Sequence, residues 1–197
     1  MVQREWTDFV DARRFALMQV RTPWTLMLDA DEALDDVLRE GILAAAATPD
    51  GYALRRTTYF CGKPMRIWSG ERLLRLFRTD RATLTAQPAA GAAIPLHETW
   101  SCPGELAELP GTLLHYSYPD VAAYRSKYER YTGLEAAGLR PSVVRLLLET
   151  VKSIPRALWL LFGKGAMLDG PRGWYVAFRS ALYPAVAARK ALQYSSA

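Results

Sequence analysis

Trp24-Thr25-Leu26-Met27-Leu28-Asp29-Ala30-Asp31-Glu32 is the stretch on which the fold reading turns. It begins after Arg21-Thr22-Pro23, where a proline interrupts whatever precedes it. Five residues, short, apolar and bounded by a breaker, read as a buried strand rather than a helix. The acidic cluster then falls where that strand ends. Before it, Trp6, Phe9, Val10, Arg13, Ala16, Leu17 and Val20 recur at three- and four-residue intervals, which predicts a helix over 6–20 capped by Thr7 or Asp8.

After the acidic cluster, residues 33–47 are rich in alanine and leucine and predict a helix ending before the Thr48-Pro49-Asp50-Gly51 turn. Strands are expected at Tyr52–Tyr59 and Arg72–Arg78, joined through a Gly62-Lys63-Pro64 turn. Residues 82–96, rich in Ala, Gly and Pro, read as a loop, and a strand Thr112–Tyr116 follows Pro110-Gly111. From Asp120 the character becomes helical. Arg145, Glu149, Lys152 and Arg156 share one helix face opposite Val, Leu and Ile, and Pro155 is expected to break or kink that helix near Ile154. The fold class expected is α/β: a mixed sheet in 1–118, then basic, amphipathic helices in 119–197.

The 197 residues are half hydrophobic, enough for a sizeable core. The remote Cys61 and Cys102 show no metal-ligand spacing and read as reduced thiols of a cytoplasmic protein. The N-terminus is too charged for a signal peptide, and no apolar run approaches a membrane span. The net charge of +5 is uneven: eight Lys or Arg against Glu149 and Asp169 put the stretch from Pro141 onward at +6, leaving residues 1–140 at −1. A basic end rich in Trp, Leu and Phe suits an anionic membrane surface. No recognisable nucleic-acid motif accompanies it, so nucleic acid is not expected as a partner.

Two aspartates one residue apart at a strand end can face one divalent cation. Carboxylate oxygens suit Mg2+ or Mn2+, which can bridge the phosphates of a nucleotide sugar. Alone, such a pair is a weak signal, because acidic triplets are common at helix starts. Its surroundings are more specific. The order W-x-L-x-L-D-A-D-E, Arg75-Leu76-Phe77-Arg78, Leu96-His97-Glu98 and His115-Tyr116-Ser117-Tyr118 resembles the bacterial family 2 glycosyltransferases of GT-A type. Tyr124-x-x-Lys127-Tyr128-x-x-Tyr131 and Leu168-Asp169-Gly170-Pro171-Arg172-Gly173 resemble the C-terminal signatures of their lipopolysaccharide inner-core branch.

That resemblance implies that the mixed sheet in 1–118 is part of a Rossmann-like fold. It implies Asp29 and Asp31 as metal-binding residues, with Asp31 the direct ligand ahead of Asp29, and His115 near the metal and diphosphate. It implies Glu98 as general base for the acceptor hydroxyl, with His97 beside it on the acceptor side. Arg75 and Arg78 can hold donor phosphates through their planar donor forks, or be ordinary exterior strand positions. Lys127 can meet an acceptor phosphate, or simply line a solvated helix face. Implied partners are a nucleotide-sugar donor, UDP-sugar foremost, and a lipid-linked glycan acceptor, at the inner face of the cell membrane.

The family's first half-domain, with its base-reading aspartate and D-G-S-x-D-x-T segment, has no counterpart before Trp6, and the family's usual Asn is Arg14 here. Three expectations follow: a longer parent protein, a second chain supplying that half, or a non-catalytic, membrane-associated remnant that keeps the fold. The strand ending in LDADE would then lack sheet neighbours and leave an apolar edge.

Overall fold

A computed structural model describes Glu5 and residues 7–87 and 97–195. They form two compact units, the first within Met1–Arg56, Glu71–Pro88 and Ile94–His115, the second within Thr57–Gly70, Ala89–Ala93 and Tyr116–Ala197.

The helix predicted over 6–20 is α1, Phe9–Met18, capped by Asp8, whose side chain accepts from the Asp11 N–H; Trp6 lies outside the described residues. The strand of the opening stretch is β1, Trp24–Leu26, and a second short strand, β2, Glu32–Leu34, follows the aspartates. The helix expected over 33–47 is therefore shorter. It runs as α2, Asp36–Leu43, because Asp35 spends its carboxylate on the Leu38 N–H and starts the helix there. Alanine richness gave a helical pattern to residues that sheet pairing and a cap assign otherwise.

Both expected central strands are present, as β3, Gly51–Phe60, and β5, Glu71–Arg78, antiparallel to each other. The turn leaving β3 is Cys61-Gly62, both at positive φ (48° and 72°), the backbone that a two-residue hairpin demands. Lys63 and Pro64 are then already in strand β4, paired with Phe60 and Tyr59. Residues 83–87, read as loop, form β6, Thr83–Gln87, antiparallel to β7, His97–Ser101. The Ala/Gly/Pro content of 82–96 hid the alternating Thr83, Leu84, Thr85 of a real strand; residues 88–96 lie outside the described part. β8, Leu106–Glu108, pairs parallel with β3, and β9, Leu113–Tyr118, runs antiparallel to β2.

The main sheet is thus mixed, in the order β1-β5-β3-β9-β2, as the α/β reading requires. β1 stands at one end of this order, with β5 as its partner, and β2 at the other. Residues 27–31, which contain both aspartates, carry the chain from one edge of the sheet to the other. In the first unit, Leu38, Tyr52, Leu54, Leu76 and Leu113 form one core, while Val10, Phe77, Leu84 and Trp100 form another beneath α1.

The second unit holds three helices: α3, Val121–Gly138, α4, Val143–Leu158, and α5, Pro171–Ser195. Pro155 does not end α4. The helix runs through it to Leu158 and widens into a π-helical turn, Trp159–Gly163. Pro155 is exposed, and it removes the one hydrogen bond to the Val151 carbonyl without ending the helix. Phe60, Met65, Tyr124, Tyr128, Leu161 and Val176 anchor the unit's core. Among the described residues, no helix is long and apolar enough to cross a membrane.

The Leu168–Gly173 signature has a structural reading within this unit. The Asp169 carboxylate accepts from the Arg66 N–H at 2.8 Å, Gly170 turns the chain at φ 64°, and Pro171 opens α5. Gly173 then lets the helix pass against the Ala166 carbonyl, where an added Cβ would lie 1.7 Å from the oxygen.

Candidate functional site

Strand order dictates what the 27–31 crossing meets. It passes the ends or flanks of β5, β3 and β9, and each contributes a basic side chain. Arg75, in β5, is only 4% exposed and donates to Asp29 Oδ2 at 2.7 Å and Glu32 Oε1 at 2.8 Å. Arg56, in β3, lies 3.5 Å from the same Glu32 oxygen. His115, in β9, brings its Nε2 to 3.4 Å from Asp31 Oδ2. From the helical side, α1 delivers Arg13 to Asp29 Oδ1 at 2.7 Å, and Arg14 donates to the Leu84 carbonyl.

Glu32 closes the crossing. Its N–H donates to the Asp29 carbonyl, and its carboxylate accepts the Asp29 N–H, both at 3.0 Å. Its side chain is fully buried, so the ion pairs with Arg75 and Arg56 are what make an ionised carboxylate tolerable there. The final E of LDADE is thus the structural member of the motif.

The two aspartates have different surroundings. Asp29 is held between two guanidiniums, whereas Asp31 is the more exposed of the pair and faces His115. Burial pushes the Asp29 carboxyl up, but Arg75 and Arg13, the Arg75 hydrogen bond and the charge of His115 outweigh it and hold the group below the usual carboxylate range. A depressed folded value means stability present above about pH 4, the ordinary range, and lost as pH falls through the lower folded value. Asp29→Asn should therefore remove part of the acid-side slope of stability, read by urea denaturation between pH 2 and pH 6 on either side of that range. An unchanged slope would mean that the guanidiniums do not stabilise the ionised Asp29.

Arg75 and Arg78 both lie on β5, where a register shift against β3 falls at Arg75 and interrupts the strand's alternation. Neither is an ordinary exterior position: Arg75 is buried on the carboxylates, and the Arg78 guanidinium lies 5.8 Å over the Trp24 ring. Lys127 does not line a solvated face. Its ammonium donates to both the carbonyl and the hydroxyl of Ser117 at 3.0 Å and lies over the Tyr118 ring. The backbones of His97 and Glu98 lie in β7 opposite Gln87 and Ala86, while their side chains fall outside the described structure. Sequence reasoning missed Arg13, Arg56 and the buried Glu32. Arg13 was visible only as one more position of an amphipathic helix.

Among the described residues, no three His, Cys, Asp or Glu side chains converge as a ready-made metal cage. Asp31 and His115 together offer one oxygen and one nitrogen donor, a pair that suits Mn2+ or Mg2+ only with oxygens supplied by a ligand and water. Asp29, occupied on both oxygens by guanidiniums, does not fit as a ligand in this arrangement.

No family model matches the chain. It is 28% identical over 200 residues to the lipopolysaccharide core biosynthesis glycosyltransferase LpsC of Rhizobium meliloti (strain 1021), across 95% of this chain and 70% of that protein.

Proposed function

We propose that this chain carries the metal-dependent centre of a glycosyltransferase of family 2, GT-A type. It would move a sugar from a UDP-sugar to a lipopolysaccharide-core or other lipid-linked glycan at the inner face of the cell membrane. The likeness to LpsC supports glycosyl transfer in general. The observation that carries the finer reading is the division of labour in LDADE: Asp29 and Glu32 are tied to Arg13, Arg56 and Arg75, and Asp31 turns to His115.

The charge balance gives that division a purpose. Asp29, Glu32 and the Glu71 carboxylate on Arg56 already answer the three guanidiniums Arg13, Arg56 and Arg75, so a diphosphate gains little net attraction from those arginines. Asp31 and His115 would hold Mg2+ or Mn2+, which when bound offsets charge on the departing diphosphate. Asp29 then acts as a positioning residue, fixing the crossing from which Asp31 projects. Glu98 is the proposed base that takes the proton of the acceptor hydroxyl.

UDP release from UDP-hexoses, in the presence of Mn2+ and a lipopolysaccharide-core acceptor, tests the reading. Release should stop on chelation and fall by about 100-fold in Asp31→Asn. Release indifferent to chelation would reject metal dependence. Metal-dependent binding without any release would instead favour a non-catalytic binding protein that keeps the fold.

A further inference from the structure

We propose that α4, the π turn and the first half of α5 form a docking surface for an anionic lipid bilayer. The inference is read from the helical unit alone and does not depend on glycosyl transfer.

An ordinary surface helix turns its apolar side to the core and its charges to water. α4 has three sides instead. Ser153 and Ala157 are buried in the unit. Arg145, Glu149, Lys152 and Arg156 form the charged side. The remaining arc, Val144, Leu147, Val151, Ile154 and Leu158, is 52–67% exposed at every position. This arc continues into an apolar groove of about 310 Å³ lined by Ile154, Leu158, Phe162, Trp174, Phe178 and Leu182. A contiguous apolar surface of this kind marks an interaction site.

Charge decides between occupants. Arg145, Lys152 and Lys164 are exposed around this surface. The two acids of the same stretch are already bound, Glu149 to Arg156 and Lys152, Asp169 to Arg66. Protein interfaces are depleted of lysine at their centre, and a protein partner would have to bring an acidic rim of its own to match these cations. A cationic border around an apolar arc is what an anionic headgroup layer over acyl chains complements. The Lys164 ammonium lies 5.2 Å over the exposed Trp159 ring, placing an indole and a cation together at the edge, the pairing suited to the headgroup level. Trp174 and Phe178, with ring centroids 5.9 Å apart, sit in the groove.

Co-sedimentation of the full chain with phosphatidylethanolamine/phosphatidylglycerol vesicles, against phosphatidylcholine vesicles, tests this. Binding to the anionic vesicles should weaken as salt rises, and by about tenfold or more in the double variant Val151→Glu, Ile154→Glu. Lys152→Glu with Lys164→Glu should reduce binding to anionic vesicles only. Brominated lipid should quench wild-type fluorescence, and the quenching should diminish in Trp159→Phe, Trp174→Phe, which keeps the test decisive if the glutamate variant misfolds. The proposal is overturned if the wild type does not sediment, or if the folded double variant binds as well as wild type. It is equally overturned if the wild type ignores vesicles but self-associates through this face and the double variant is monomeric. Vesicle binding is read without sugar transfer, so either reading can fail alone.

Discussion

Arg75→Met should destabilise the protein by about 3 kcal/mol or more, the largest loss expected from any single charge removal in the first unit. Met matches much of the arginine's length and apolar stem, so little cavity is added. What disappears is the donor shared by Asp29 and Glu32. Glu32 is fully buried and would keep only Arg56, at 3.5 Å, and the Asp29 N–H; Asp29 would keep Arg13. Removing one partner of a buried pair leaves the other's desolvation uncompensated, which costs more than the pair contributes when intact. Arg75→Lys should recover part of the loss, because it restores charge without the planar fork. Urea denaturation at neutral pH measures both. A loss under about 1 kcal/mol for Met, the scale of an exposed pair, would mean that the network adds no more than surface ion pairs do.

Gly173→Ala should cost about 3 kcal/mol or more in the helical unit, despite alanine's better helix propensity. The new Cβ would lie 1.7 Å from the Ala166 carbonyl oxygen and 2.8 Å from Asp169 Cβ. The clash is with backbone, and Ala166 is fully buried, so no flexible side-chain end can give way. Relief requires moving the start of α5 or the turn that holds Asp169 on Arg66. Gly133→Ala in α3 is the control: its Cβ would meet only the end of the Tyr194 side chain, at 3.3 Å. There the lower entropy of the unfolded chain should leave stability unchanged or raised by up to about 1 kcal/mol. Thermal unfolding followed by circular dichroism separates the two. Equal effects would show that Gly173 is not held by close approach.

These two sites also show how far the sequence could be read. The strand before Asp29, the central hairpin strands and the helical character after Asp120 follow from local signals: an apolar run stopped by acids, Pro and Gly between apolar segments, and charges recurring on one helix face. The division into three helices, with caps at Asp120 and Ser142, shows only in the folded chain. The helix over 33–47 and the loop over 82–96 failed where composition and pairing disagree. Alanine does not know that Glu32–Leu34 will lie beside β9, nor does a Gly/Pro-rich stretch hide a strand from its partner. The roles within LDADE were not legible either. A carboxylate's function depends on which cations the topology brings to it, and Arg13, Arg56 and Arg75 come from three elements remote in sequence. The signature around Gly173 could be recognised as a pattern, but its reason is a contact with Ala166 that only the folded chain displays.

Asp31 is the residue on which the functional account rests, and calorimetric titration of UDP into the protein tests it most directly. Binding heat should appear with wild type only when Mn2+ is present, vanish in Asp31→Asn, and persist in Lys152→Glu on the helical face. UDP binding without metal, or Mn2+-dependent binding undiminished in Asp31→Asn, would contradict the account.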